Sequence, residues 1–330
     1  MSQTIRIVKK IFYLLITIFF VLVFNFILFR LLPGTVTTKM AHSAAHANAT
    51  ALANLNNYYG LDQSMFQQFL TYFKKLMHLD LGTTFASYGG GTDVWQVMAS
   101  RIGPTVILLG LAEVFSFILG ILFGVIAGWK HGKPIDKTLL TFSLTFYAMP
   151  TFWLSMLLIL VFCTKSKLLP SMGMYTTGYV KEIVGASAYY KDVARHMILP
   201  LVCMSLGFAG EYTLTMRSTM MDVITEDYMT TARAKGFKEG YVLRKHALPN
   251  AMLPMVTLVC MNLGFAIGGA ITLEKMFSWP GIGMLTYTAI ENRDYTLLQG
   301  IFLLTTVSTI VANFLADILY GFIDPRIKNS

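Results

Sequence analysis

Six segments, at approximately 11–32, 106–129, 138–164, 198–216, 252–273 and 297–323, are almost continuously apolar. A helix needs about 20 apolar residues to cross the hydrocarbon core of a bilayer. Inside lipid every backbone N–H and C=O must find a partner within its own segment, which leaves helices as the form open to isolated apolar stretches. The linkers between the six are too polar to hide in lipid. The pattern therefore predicts an all-α polytopic membrane protein with six transmembrane helices and a long external loop after the first. Only 13% of the 330 residues are charged, about half the ~25% of soluble domains. The length fits one membrane domain with its loops and excludes an attached full-size soluble enzyme.

The net charge of +9 is placed as a topology signal, at the ends of apolar segments, and not as a nucleic-acid footprint. With a cytoplasmic N-terminus, the inside segments 1–10, 129–137, 217–250 and 324–330 hold three, three, six and two Lys and Arg. That is more than half of the 26 in the chain, in a small share of its length. The bias predicts both termini inside. The expected organisation is a tail and first helix (1–32), an extracytoplasmic region (33–103), a five-helix core (104–323) containing a cytoplasmic loop at 217–250, and a tail (324–330). The first apolar run is longer than a signal-peptide core and ends in "FRLLPG" without a small-residue cleavage site, so it reads as an uncleaved span. Cys163, Cys203 and Cys260 each lie within an apolar segment and read as small core residues.

Within 33–103, helical periodicity runs from about Ser64 to Met77, with Phe66, Phe69, Leu70, Phe73 and Leu76 or Met77 on one face. Such an exported amphipathic helix should pack on the outer membrane face or against an extracytoplasmic partner. Gly120, Gly124 and Gly128 recur every fourth residue, a spacing that lets helices approach closely. Pro150, Pro200 and Pro254 should kink or cap spans. Ionisable residues inside spans are costly and are functional candidates by default. Glu113, Glu211 and Asp317 qualify, and Asn262 and Asn313 are polar candidates beside them. Asn313, Asp317 and Tyr320 share a helical face, which fits either a structural hydrogen-bond cluster or a transport pathway. External His42 and His46 have i, i+4 spacing, but no carboxylate or Cys stands near, and no metal site is expected.

The stretch "TTARAKGFKEGYVLRKHALPNAMLP", Thr230 to Pro254, is basic, helix-compatible and broken by glycine. A helix starting near Thr225 should end at Gly236, whose missing Cβ suits the left-handed terminating residue. A second should run from Lys238 to Leu248 and stop at Pro249. Two readings of this helix–glycine–helix knob stand: a surface loop obeying the positive-inside rule, or a docking surface for another protein.

The block resembles the loop of bacterial ABC importer permeases whose pattern is Glu-Ala-Ala, three residues, Gly, nine residues, Ile, any residue, Leu-Pro. Ala232, Gly236, Leu248 and Pro249 match; Thr230, Thr231 and His246 stand where the pattern has Glu, Ala and Ile. "DYMTTARAKGF" and "HALPNAMLP" are closer to the peptide-importer branch. So are "LLPG" (31–34, followed by Thr35 and not Asp), "GLDQ" (60–63), "DLGTTF" (80–85), "FSWPGIG" (277–283), "NRDY" (292–295) and "DPR" (324–326). The resemblance spans essentially the whole chain and is to the B-type permease subunit of dipeptide/oligopeptide importers in the bacterial cytoplasmic membrane.

It implies a membrane subunit that pairs with a second, homologous permease, two ATP-binding subunits and an extracytoplasmic substrate-binding protein. The substrate is implied to be a peptide; a nickel or other small-solute importer of the same family is the alternative. No GxxxxGK[S/T] occurs in the chain, so it is expected to bind no cofactor and to be no enzyme, with ATP and magnesium used by the partners. The coupling residues implied are Thr231, Ala232, Ala234, Lys235, Gly236, Phe237, His246, Leu248 and Pro249.

Overall fold

The computed structural model describes residues 3–31, 63–84, 91–266 and 268–323, with the side chains of 3–7, 260, 263–267 and 316–323 left out of the description. Thirteen α-helices occur among the described residues: α1 (Gln3–Leu31), α2 (Met65–Leu76), α3 (Val94–Trp129), α4 (Pro134–Ala148), α5 (Thr151–Leu158), α6 (Lys181–Val184), α7 (Ala186–Ile224), α8 (Asp227–Ala234), α9 (Glu239–Val242), α10 (Leu248–Ala266), α11 (Ile271–Met276), α12 (Ile282–Glu291) and α13 (Tyr295–Ile323). Two π-helical turns, Ile159–Lys165 and Leu243–Ala247, follow α5 and precede α10. There is no strand among the described residues, only a bridge pairing Thr83 with Asp93. The all-α expectation holds.

Val8–Leu31, Val94–Trp129, Ala186–Ile224 and Tyr295–Leu315 are each long and apolar enough to cross a membrane among the described residues. The apolar run expected as one span at 138–164 is instead two helices, α4 and α5 with its π-turn, bent by 102°. The bend falls at Pro150, whose fixed φ and missing N–H interrupt the ladder. The expected crossing at 252–273 corresponds to α10, which stops at Ala266. A turn follows in which Gly269 has φ +75°, and a Cβ there would lie 2.4 Å from Gly283 N, so the chain can double back only on glycine.

The chain divides into two compact units, one of residues 1–103 and 285–311, the other of 104–284 and 312–330. In the first unit, α2 packs along α1. Phe69 meets Phe26 edge-on with ring centroids 5.5 Å apart and Phe19 at 6.4 Å, and Tyr72 lies 5.6 Å from Phe26. Ser64 and Gln67 form a reciprocal cap at the start of α2, satisfying donors the first turn leaves open. The buried face differs from the predicted one. Gln68 is buried and Tyr72 half-buried, while Phe66 and Leu70 are exposed. Apolar residues on α2 exceed what one face against α1 can cover.

In the second unit, α3, α4 and α10 pack on α7. The glycine spacing does what it predicts: a Cβ on Gly120, Gly124 or Gly128 would stand 2.1, 2.5 or 2.6 Å from the Cβ of Tyr212, Met216 or Met220. Gly210 of α7 admits Tyr147 of α4 in the same way, at 2.4 Å. Beyond α10, the "FSWPGIG" turn is pinned by the fully buried Glu274. Its carboxylate accepts from Thr105 Oγ1 at 2.9 Å and from Met284 N at 2.9 Å, and Thr105 Oγ1 accepts from Ile282 N at 2.7 Å. Trp279 Nε1 donates to the Pro104 carbonyl at 3.0 Å. Cys203 is buried and Cys163 half-buried.

Candidate coupling site

The knob begins beside Thr225, as its sequence predicts. Thr225 closes α7, its hydroxyl donating to the Asp222 carbonyl at 2.7 Å, and α8 starts at Asp227 with Glu226 in the capping position. Asp227 in the first turn and Arg233 in the last complement the helix dipole. The chain turns at Gly236, where φ is +78°. A Cβ built there meets nothing within 4 Å. The residue is glycine for its backbone, and the space beside it is open.

The second predicted helix, Lys238 to Leu248 stopped by Pro249, is corrected by the structure. α9 runs Glu239–Val242, passes through the π-turn Leu243–Ala247 and continues without a stop into α10. The reason lies in the hydrogen-bond ladder. In an α-helix the ring of Pro249 would strike the carbonyl four residues back. Here Leu248 N–H reaches back five residues to the Leu243 carbonyl, so the widened turn shifts the obstructing carbonyl aside. Asn250 Nδ2 donates to the His246 carbonyl at 2.7 Å.

The knob has two faces. Inward, Met229, Val242 and Ala247 are fully buried and Ala232 nearly so; they share one apolar cluster with Tyr212, Met216, Met220 and Val223 of α7 and Ala251 and Met255 of α10. Arg233 lies over the Trp129 ring, 5.7 Å from its centroid, and its Nε donates to Glu239 at 3.1 Å. Outward, Thr231, Ala234, Lys235, Gly236, Phe237 and Pro249 are exposed, and His246 and Leu248 are half-buried. Thr231 Oγ1 donates back to the Asp227 carbonyl at 3.1 Å. Phe237, Tyr241 and His246 group their rings, with centroids 4.8 Å apart for Phe237–Tyr241 and 6.1 Å for Phe237–His246. The residues expected to couple are gathered in this knob, on its outer side except for Ala232, which serves the inner face.

At the membrane end of the same cluster stands a polar triad. Tyr212 donates to Glu113 Oε1, and Asn262 Nδ2 donates to Tyr212 Oη at 3.1 Å. Glu113 is 3% exposed. Thus two intramembrane candidates on α3 and α10 meet through a residue of α7 that the sequence did not single out. The clue was available: Tyr212 lies four residues from both Phe208 and Met216, on the face that meets the glycines of α3. The other candidates do not join them. Glu211 is half-buried, and its carbonyl accepts from Thr215 Oγ1. Asn313 Oδ1 is buried without a hydrogen bond. The side chains of Asp317 and Tyr320, and both His42 and His46, lie outside the described residues.

A second linkage was also missed. Arg217, in the last third of α7, donates from Nε and Nη2 to the two oxygens of Asp136 at 2.6 and 3.0 Å. Gly132 N–H donates to the same carboxylate at 2.9 Å. Hydrogen bonding from Arg217 holds the Asp136 carboxyl down at about 2, against burial, and raises Arg217 in return. The pair is separated by 81 positions, so no local pattern announces it.

Residues 120–329 match the family of the binding-protein-dependent transport system inner membrane component. The chain is 36% identical over 322 residues to the dipeptide transport system permease protein DppB of Escherichia coli (strain K12), covering 92% of this chain and 93% of that one. It is 34% identical over 323 residues to the glutathione transport system permease protein GsiC of the same strain, covering 98% of each. A solved structure of the MetNI methionine ABC transporter in an inward-facing conformation is similar in fold, with 15% identity and a TM-score of 0.55 over 69% of this chain and 97% of that one. The chain belongs to the family of binding-protein-dependent transport system inner membrane components.

Proposed function

We propose that the chain is the permease subunit of an ATP-driven importer of di- or oligopeptides in the bacterial cytoplasmic membrane, with both termini in the cytoplasm. It forms the translocation pathway with a second, homologous permease. Two separate ATP-binding subunits drive it, and an extracytoplasmic protein delivers the substrate. Peptide is favoured over nickel because the similar permeases are named for dipeptide and glutathione transport. ATP is bound by the partners, since this chain lacks a Walker A loop.

The observation that carries the coupling role is the shape of the knob. Its outer face, around Gly236 and Phe237, is open, and its inner face is part of the core of α7 and α10. An ATPase seated on the open face moves the buried one with it, because packed interiors shift as rigid bodies rather than deform. Motion then reaches the spans at Met216 and Tyr212, where the polar triad joins α3, α7 and α10. The test is ATP hydrolysis by the complex reconstituted with its binding protein. Hydrolysis should rise with peptides and not with Ni²⁺, and Gly236→Trp should abolish association with the ATPase. A Gly236→Trp chain that still binds the ATPase and transports would refute the coupling role.

A further inference from the structure

Within the first unit, α2 does more than rest on α1. Phe69 sits between Phe19 and Phe26, twelve and five positions before the end of α1 at Leu31, which is about 8–18 Å along a helix rising ~1.5 Å per residue. The first half of α2 therefore lies at acyl-chain depth, and its exposed Phe66 (70%) and Leu70 (49%) face the same medium as the exposed Phe20 and Phe24 of α1. The second half rises to headgroup level, where Lys74 and Lys75 close the helix and Arg30 closes α1. Between them is a cavity of about 50 Å³. One water needs about 10–15 Å³ on that measure, so the cavity has room for a group of several heavy atoms.

Its lining is built for an anion. Arg30 and Lys75 bring two positive charges, and Tyr72 and Gln299 bring further polar groups. Asp80 is the opposing charge: it acts on Lys75, and its Oδ1 accepts from Gly82 N–H at 3.0 Å, which leaves one net positive charge in the lining. Thr296 also lines the cavity. It is 3% exposed, and its hydroxyl has no hydrogen-bond partner. Buried hydroxyls are rarely left so. An unpaired donor facing an electropositive cavity at headgroup level, above an apolar helix face at acyl depth, matches the two ends of one molecule.

We propose that this cleft is a phospholipid site, with the headgroup phosphate held between Arg30, Lys75 and Thr296 and an acyl chain lying along Phe66 and Leu70. The site ties the extracytoplasmic helix α2 to the outer leaflet and makes α1 and α2 one lipid-anchored element.

The experiment is native mass spectrometry of the full-length chain purified in mild detergent. A phospholipid adduct is expected, and Arg30→Gln with Lys75→Gln should lower its occupancy at least tenfold. Thr296→Val is the discriminating variant. Since Thr296 makes no hydrogen bond to protein, this change should leave the thermal midpoint of delipidated chain unchanged or higher, yet cut lipid occupancy several-fold. In vesicles, a tryptophan placed by Phe66→Trp should be quenched by brominated phosphatidylglycerol. Equal occupancy in wild type and Thr296→Val, or an unquenched tryptophan, overturns the proposal. So does stabilisation of the delipidated chain by inorganic phosphate equal to that by phosphatidylglycerol, which marks a site for free anions.

Discussion

Replacing one glycine of α3 by alanine should have opposite effects at two positions ten residues apart. At Gly120 the added Cβ falls 2.1 Å from Tyr212 Cβ and 3.1 Å from the Ala209 carbonyl oxygen. Carbon atoms in contact sit about 3.5–4.0 Å apart, so the shortfall is about 1.4 Å. Neither neighbour is the mobile end of a side chain. The helices must separate, and overpacking of this kind costs about 1–3 kcal/mol. Gly120→Ala belongs at the upper end, because separation at Tyr212 also stretches its bond to Glu113. At Gly124 and Gly128 the distances are 2.5 and 2.6 Å, a shortfall of about 1 Å, and the costs should be smaller. Gly110 is in the same helix, and a Cβ there meets nothing within 4 Å. Gly110→Ala should therefore be neutral or stabilising by up to about 1 kcal/mol, since alanine restricts the unfolded backbone. The assay is unfolding in mixed micelles with increasing SDS, followed by tryptophan fluorescence. The expected order of stability is Gly110→Ala at or above wild type, then Gly128→Ala and Gly124→Ala, then Gly120→Ala. If Gly110→Ala and Gly120→Ala lose the same amount, close approach of α3 to α7 is not what these glycines provide.

Tyr212→Phe keeps the ring among Met216, Phe117 and its neighbours but removes the hydroxyl that bonds both Glu113 and Asn262. Burying those groups unpaired costs about 1–3 kcal/mol in a water-soluble protein, but interhelical hydrogen bonds in membranes average nearer 0.6 kcal/mol, so a loss of about 1 kcal/mol is expected in the same assay. A larger fall in transport per ATP hydrolysed than in stability places the triad in coupling; equal falls place it in packing alone. The Asp136 carboxyl, held at about 2, lies below its unfolded value of about 4. The pair with Arg217 therefore adds stability that is complete above about pH 4 and disappears as pH falls toward 2. Asp136→Asn should lower the midpoint uniformly from pH 5 to 8 and flatten the acid limb; a difference that varies across pH 5 to 8 would refute the assignment to Arg217. Met229→Ala empties a fully buried site in the knob and should cost about 2–5 kcal/mol of local stability. ATPase affinity measured by co-purification should fall although Met229 does not face the ATPase, and unchanged affinity would show that the outer face holds its shape alone.

Long apolar runs are legible in one sequence because lipid enforces a single local rule on every residue, and the spans of α1, α3, α7 and α13 follow from it. Glycine at 236 is legible for a similar reason: only the residue's own backbone is involved. The failures share a cause. Pro249 reads as a stop because the rule for proline assumes an α-helical ladder, and a π-turn is a change of ladder with no composition of its own. Hydropathy is likewise blind to direction, so within 138–164 only Pro150 marks the place of the 102° bend. Asp136 with Arg217, and Glu113 with Tyr212 and Asn262, are contacts across the fold. Each residue was visible, and its partner was fixed only by packing.

The packing also explains why the knob and the intramembrane triad belong to one device. α7 carries both: Tyr212 meets the triad, and Met216, Met220 and Val223 succeed it along the same face down to the knob. On the opposite helix the glycines at 120, 124 and 128 take the same three steps. That stripe is smooth on the α3 side, with no Cβ to interlock, and knobbed on the α7 side. A smooth stripe against a ridged one permits close approach, and Phe117, Val125 and Trp129 of α3 pack on the cluster beside it. Polar pairs then hold α7 to two neighbours: Tyr212 bonds Glu113 of α3, and Arg217 bonds Asp136 of α4. With α7 tied to both, few arrangements keep both pairs closed. Under the proposed coupling role, force applied at Gly236 either leaves both closed or opens one, and a small displacement of the knob becomes a discrete change among the helices.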